Sequence, residues 1–207
     1  MFHKKLAPIA PTLALAATLA LTLPGCVSFG GKPPQRLLSL DSAQKVAPGT
    51  LRSVSAAAPI TIADPDAPKM LDTVRVPVRT SATSVAYVTK VQWADTPRHL
   101  FRHLLAETVA ATSNRIVLDP GQYAPGAGQR LEGELIEFGL DASGGTAVVT
   151  YDAMLAGPGG TPIATQRFTA SAPVGGKIGP DSIGAPLNTA ANKVAADVAA
   201  WLAANGK

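Results

Sequence analysis

Three long stretches in the second half of the chain are rich in strand-forming residues such as Val, Thr, Tyr and Phe, and residues 147–155 alternate in part between apolar and polar side chains. The three stretches cover residues 129–140, 146–156 and 162–172, and glycine-rich turns at 144–145 and 157–160 separate them. A period of two is typical of strands that bury one face, and short glycine turns join antiparallel neighbours. The pattern therefore predicts an antiparallel meander of three strands.

Shorter apolar segments of the same kind come before the meander and are bounded by turn-forming residues. In one of them, at 74–79, the valines are expected to face inward and the arginines outward, and Pro77 favours a strand end or an edge. The short strands are predicted at residues 36–40, 59–63, 74–79, 84–89 and 115–118.

Two segments show helical spacing instead. The first begins at Pro97, with Thr96 as the predicted N-cap, and ends near residues 112–114. Its apolar stripe contains Leu100, Phe101, Leu104, Leu105 and Val109, and its polar side contains Arg98, His99, Arg102 and His103. The second helix is predicted at 187–205, with Asn205 and Gly206 as its stop and with the stripe Leu187, Ala191, Val194, Ala195, Val198, Trp201 and Leu202.

This order of elements predicts the fold class. We expect a single α/β domain over residues 36–205, with a mixed sheet that contains the antiparallel meander and is covered by two main helices. The length of 207 residues is compatible with one such domain.

The N-terminal segment has the pattern of a targeting signal. A basic start with Lys4 and Lys5 precedes an apolar stretch at 6–23, and small residues follow before Cys26. A permanent membrane span needs about 20 apolar residues, so this interrupted stretch favours a cleaved signal peptide at 1–25. A plain secretory signal with an unrelated cysteine is the alternative.

The residues Leu23, Pro24, Gly25 and Cys26 resemble a bacterial lipobox. The resemblance implies cleavage before Cys26 and attachment of acyl chains such as palmitate, which hold a domain on a bilayer without a spanning helix. In the enterobacterial lipoproteins that this signal resembles, an aspartate directly after the cysteine retains the protein on the inner membrane. This chain has Val27 at that position, which favours the periplasmic face of the outer membrane. Residues 26–35 are then a lipidated tether.

Composition narrows the possible functions. Charged residues make up 15 % of the chain, and loss of Lys4 and Lys5 with the signal peptide lowers the formal net charge from +4 to +2. No run of basic residues remains, so nucleic-acid binding is not expected. A single Cys excludes a disulfide scaffold and a cysteine-built zinc site.

Few residues suggest catalysis. His99 and His103 are four apart on a predicted helix and are able to share a metal, but no third ligand accompanies them. Glu132 and Glu134 share a strand face and form a conceivable acid–base pair, whereas a polar outer face is the simpler interpretation. Nucleophile elbows and phosphate loops are missing from the sequence. We therefore expect no enzyme, cofactor or metal site.

Residues 87–107 resemble the central signature of the ABC-type transport auxiliary lipoproteins, the family that includes paraquat-inducible protein C. Trp93, Ala94 and Pro97 match its aromatic corner, and Leu100, Leu104 and Leu105 match the helix that follows. The resemblance implies a non-enzymatic lipoprotein subunit of an intermembrane lipid transport (MCE) system. Its implied partners are an MCE-domain protein, an ABC permease and an ATPase, with a ring-like homo-oligomer as a further expectation.

Candidate partner contacts are Trp93, at the corner before the first helix, and Arg98 and Arg102 on the polar side of that helix. For each, an ordinary structural role is the alternative: Trp93 packs beneath the helix, and the arginines belong to a solvated face. Two other functions stay open, namely a structural or assembly lipoprotein of the outer membrane and a periplasmic enzyme.

Overall fold

Five strands, a helix, four strands and a second helix follow one another along the part of the chain that the structure describes. This structure is a computed structural model that describes residues 36–51, 59–113, 115–122 and 128–206. The elements are β1 (Arg36–Leu38), β2 (Ile60–Ile62), β3 (Pro77–Ser81), β4 (Ser84–Tyr87), β5 (Val91–Trp93), α1 (Pro97–Thr112), β6 (Val117–Leu118), β7 (Gln129–Asp141), β8 (Thr146–Ala156), β9 (Pro162–Pro173) and α2 (Gly184–Asn205). Short 3-10 turns occupy Pro120–Gln122 and Pro158–Gly160.

The meander forms one half of the main sheet and confirms the prediction. Strands β7 and β8 pair antiparallel, and β9 pairs antiparallel with β8. On its other side, β7 pairs in parallel with β2 along its first residues and with β3 at its end. Strand β6 extends the sheet beyond β2, and β4 extends it beyond β3. The sheet is therefore mixed, and the predicted α/β fold class is confirmed.

A small second sheet joins the beginning of the described chain to the start of α1. Strand β1 pairs in parallel with β5, and the backbone N–H of Ala94 donates to the carbonyl of Leu38 over 2.8 Å. The sequence pattern indicated only an approach to the helix in this region, so β5 is an additional strand. The pairing fixes the position of Trp93 at the corner.

Both helices bury their apolar stripes against the same face of the main sheet. Four aromatic rings form a continuous line through this core, with centroid distances of 5.3 Å from Trp93 to Phe138, 6.2 Å from Phe138 to Phe101 and 5.3 Å from Phe101 to Tyr151. All three contacts are edge-to-face, the geometry that aromatic quadrupoles favour. The stripe of α1 is thus oriented as predicted.

Local details differ from the predicted elements. Strand β3 starts at Pro77 instead of residue 74, because a proline tolerates the first position of a strand but interrupts its ladder. Thr96 is the N-cap of α1, yet its side chain makes no capping hydrogen bond. Helix α2 begins at Gly184, three residues earlier than predicted.

Residues 39–46 cross both helices, and we call this segment the strap. The Ser42 hydroxyl of the strap is 3.2 Å from Thr108 Oγ1 in α1. Side-chain oxygens of α1 and α2 also accept hydrogen bonds from backbone N–H groups of the strap. The bonds run from Asp41 N to Asn188 Oδ1 (2.9 Å), from Ala43 N to Asn192 Oδ1 (2.7 Å) and from Val46 N to Glu107 Oε1 (2.8 Å).

Candidate contact surfaces

Arg102 lies in a network of ion pairs and has little free surface. Its Nε is 3.0 Å from Asp64 Oδ1, and its Nη1 donates to Asp119 Oδ1 over 2.7 Å. The side chain is only 11 % exposed. Two carboxylates therefore compensate the charge that the sequence presented as part of a basic face. The partner contact assigned to Arg102 stays a prediction, and the geometry favours a structural role.

Arg98 and His99 also have carboxylate neighbours. Arg98 Nε is 3.5 Å from Asp72 Oδ1, and His99 Nδ1 is 3.3 Å from Asp95 Oδ1. The backbone N–H of Thr96 donates to Asp95 and is the main reason that the pKa of this carboxyl is below its usual value. The face of α1 is consequently mixed in charge. A contact through Arg98 stays a prediction as well.

Trp93 is buried at the corner and is 1 % exposed. Its indole packs edge-to-face on Phe138, and its Nε1 has no hydrogen-bond partner among the described residues. A contact with another protein would need this side chain to leave the core. The burial favours the packing alternative for Trp93.

The glutamates of β7 lie on the open face of the main sheet, opposite the helices. Glu132 is ion-paired with Arg130, and Glu137 Oε1 accepts a hydrogen bond from Arg79 Nη1 over 2.5 Å. Glu134 is exposed. The alternation that placed Glu132 and Glu134 on one face is correct, but separate arginines hold Glu132 and Glu137. The arrangement favours the polar outer face over an acid–base pair.

The same open face carries a hollow that the sequence did not indicate. It has a volume of about 300 Å³ and is lined mainly by apolar side chains, among them Met70, Val85, Ile136 and Val148. Ile136 lies at a register shift between Leu135 and Glu137, so it breaks the regular alternation of β7. A bulge cannot be located from periodicity alone, which explains why this apolar spot was missed.

Three other observations concern the predicted anchor, metal binding and membrane crossing. Cys26, the signal peptide at 1–25 and the tether at 26–35 lie outside the described residues. Within the described ranges, His, Cys, Asp and Glu side chains form no group of three or more suited to a metal ion. None of the described helices combines the length and the hydropathy that crossing a bilayer requires.

Comparison with known families identifies the class of protein. The model of the ABC-type transport auxiliary lipoprotein component matches residues 38–199, which is most of the chain and lies inside the predicted domain. The chain belongs to this family. The resemblance seen at the Trp93 corner and the following helix is thereby confirmed. No curated protein sequence matches the chain significantly.

Solved structures support the same fold. A Xanthomonas campestris protein of family DUF330 superimposes with a TM-score of 0.66 at 16 % identity, over 83 % of this chain and 92 % of its own. A crystal structure of an uncharacterised protein superimposes with a TM-score of 0.64 at 15 % identity, over 81 % of this chain and 98 % of its own. At these identities the likeness concerns the fold alone.

Proposed function

We propose that this protein is a lipid-anchored accessory subunit of an MCE-type intermembrane lipid transport system. It lies on the periplasmic face of the outer membrane and acts by protein–protein contacts without catalysis. Its partners are an MCE-domain protein, an ABC permease and an ATPase, and several copies of the chain assemble together. The family match over residues 38–199 is the observation that carries this proposal, because that family is an auxiliary lipoprotein component of transport.

The lipobox-like sequence supports the anchor. Cys26 is the only cysteine of the chain and directly follows the apolar segment and Gly25. Acyl chains contribute about 0.8 kcal/mol for each buried CH₂, so two or three chains hold a water-soluble domain on a membrane. The thiol at residue 26 is therefore the proposed site of lipid attachment.

The non-catalytic role is supported by the polar groups of the domain. Of the side chains first considered for chemistry, His99 lies beside Asp95 and Glu132 is ion-paired with Arg130. Ion pairs of this kind are common on the surfaces of proteins and need no substrate to explain them. The family description as a transport component points the same way.

Purification from native membranes tests the proposal. We expect the intact mass of the mature chain to show acyl groups at Cys26, and MCE, permease and ATPase subunits to co-purify. The Cys26→Ser variant should leave the membrane fraction while its domain stays folded, and Ser28→Ala, as a matched control, should behave like the wild type.

Three results would contradict parts of the proposal. A Cys26→Ser chain that still fractionates as an integral protein would identify residues 6–23 as a true span. Acylated protein that co-purifies with a β-barrel or cell-wall component, and without transporter subunits, would favour the structural or assembly lipoprotein. A mature chain without acyl groups would remove the anchor.

A further inference from the structure

One end of the domain gathers the residues through which the tether joins the fold. Arg36 pairs with Val91 in the small sheet, and its Nη2 is 2.6 Å from Asp181 Oδ1 in the loop before α2. In the same loop, Ser182 Oγ donates to the carbonyl of Lys177 over 2.9 Å. We call the surface formed by residues 36–37, the turn at Lys90 and the loop 175–183 the tethered end.

The tethered end carries uncompensated positive charge. Lys90, next to Val91, and Lys177 are exposed, and neither forms an ion pair with any described residue. Asp181 is neutralised by Arg36. This differs from the polar side of α1, where Arg102 is held between carboxylates. Among the described residues, the lysines without an ion pair are therefore located at the tethered end.

A cationic aromatic pair adjoins this surface. Backbone hydrogen bonds from Trp93 N to Val74 O (2.7 Å) and from Val88 N to Val76 O (3.0 Å) place the segment 74–76 beside the turn at Lys90. Within that segment, the Arg75 guanidinium lies 3.7 Å from the centroid of the Tyr87 ring. Tyrosine and arginine together are typical of surfaces at the water–lipid boundary.

Leu37 adds an exposed apolar side chain to the same surface. It is 62 % exposed although it belongs to a strand, and its partner in the small sheet is Gln92. An exposed leucine side chain gains no free energy from contact with water. Its apolar surface becomes buried, which is favourable, if this part of the domain meets the apolar boundary of a bilayer. An exposed leucine on β1 and an exposed lysine directly before its partner strand β5 fit a membrane surface better than they fit bulk solvent.

Covalent geometry keeps this end near the lipid. Ten steps of chain separate Cys26 from Arg36, and they span at most about 36 Å when fully extended. We propose that the tethered end docks on an anionic bilayer surface, with Leu37 at the headgroup boundary and with Lys90, Lys177 and Arg75 against lipid phosphates. This inference rests on the proposed anchor at Cys26, and it adds a second, reversible contact that orients the domain.

A fluorescent probe tests the docking on the lipidated, full-length mature chain. Because Cys26 is acylated in that chain, Leu37→Cys supplies one free thiol for an environment-sensitive dye. Ile163→Cys is the matched control, since Ile163 is 48 % exposed and lies at the opposite end of β9 from the loop 175–183. In phosphatidylglycerol-containing vesicles we expect a blue shift and quenching by spin-labelled lipid at residue 37 and not at residue 163.

Charge reversal separates docking from anchoring. Lys90→Glu with Lys177→Glu should lower the docked population about fivefold for each lysine, while intact mass and vesicle flotation stay unchanged. Phosphatidylcholine vesicles should give the same loss with the wild-type charges. In both experiments, intact mass and vesicle flotation report on the acyl anchor independently of the dye fluorescence.

Several outcomes would overturn the inference. Equal quenching at residues 37 and 163 excludes an oriented contact. Quenching that is unchanged by Lys90→Glu with Lys177→Glu excludes an electrostatic one. A shift that already appears in neutral micelles and grows with protein concentration identifies a second copy of the chain as the occupant. Missing acyl groups in the intact mass remove the anchor and the docking together, and that failure is recognised before any fluorescence is measured.

Discussion

Asp152 and Arg167 form two parallel hydrogen bonds of 2.6 Å each between neighbouring strands on the open face of the sheet. The hydrogen bond from Arg167 is the main reason that the pKa of Asp152 is below its usual value. Two-point contacts of arginine with a carboxylate are stronger than single ones. Asp152 is partly exposed, however, so solvent limits its contribution to stability to about 1 kcal/mol or less.

The pair predicts a specific pH dependence. A carboxyl whose folded pKa is lowered stabilises the protein above its unfolded pKa of about 3.9 and loses that contribution as the pH falls through the folded value. Asp152→Asn should therefore lower the free energy of unfolding at pH 7, and the difference from wild type should shrink toward zero in acid. Urea unfolding at several pH values measures it.

Arg167→Gln provides the control for this prediction. It should show the same pH-dependent loss, and the double variant should lose little more than either single variant, because both remove one interaction. Equal losses at pH 7 and in strong acid would mean that packing, and not the charge pair, accounts for the effect.

Single residues also show that the sequence predicts the position of a side chain better than it predicts the partners of that side chain. The side of α1 on which Arg102 lies follows from helical spacing, but its carboxylate partners, Asp64 and Asp119, come from other parts of the chain. Likewise, the position of Trp93 before the helix is evident from the sequence, whereas its burial depends on Phe138 in β7. That Lys90 has no ion-pair partner among the described residues is likewise evident only from the folded structure.

At the scale of elements, β7 shows how one glycine adapts a strand to its neighbour. A Cβ on Gly133 would lie 2.0 Å from the carbonyl oxygen of Asp152 and 2.8 Å from the ring of Tyr151. That ring covers the glycine, and the Tyr151 hydroxyl donates to the carbonyl of Glu132 over 2.8 Å. Burial, with a smaller contribution from Glu132, raises the pKa of Tyr151, which keeps the hydroxyl protonated as a donor.

Gly133→Ala should consequently destabilise the sheet. The added methyl group has no space beside backbone and ring atoms, and overpacking of this kind costs about 1–3 kcal/mol. Gly175→Ala is the matched control, because a Cβ at that glycine meets nothing within 4 Å. Chemical denaturation of both variants gives the comparison. Equal midpoints would show that β7 relaxes around the methyl group.

Elements with a long regular pattern were predictable, and short or irregular ones were not. The alternation of β8 and the stripe of α2 have enough repeats to define their faces. Parallel pairing of β2 with β7 is not encoded in the local pattern of either strand, because it joins segments far apart in the sequence. The bulge beside Ile136 reverses the phase of β7, so the apolar hollow also escaped prediction.

At the scale of the whole molecule, the strap connects the tethered end to both helices. It continues directly from β1 and is bound by Asn188 and Asn192 of α2 and by Glu107 of α1. These side chains bind backbone groups of the strap, and the buried Ser42 hydroxyl adds a side-chain contact with Thr108 of α1. A pull or rotation transmitted from the proposed anchor would therefore reach α1 and α2 through the strap as well as β1.

Hydrogen exchange can test whether the strap opens as one unit. Asn192 accepts from Ala43 N over 2.7 Å and donates to the carbonyl of Asp41 over 2.9 Å. A lost hydrogen bond weakens a contact by about 1 kcal/mol, which corresponds to a roughly fivefold larger equilibrium constant for opening and hence to faster exchange. In Asn192→Ala we expect faster exchange at the amides of Asp41, Ala43 and Val46, and little change in the sheet.

Asn205→Ala is the matched control, since Asn205 lies in the same helix and its side chain bonds only to the carbonyl of Trp201 among the described residues. It should leave the strap amides unchanged. Acceleration confined to Ala43 would show that the strap bonds act independently, and no acceleration would show that other contacts hold the segment. Cooperative opening, by contrast, would make the strap a structural link through which the proposed membrane anchor positions the two helices.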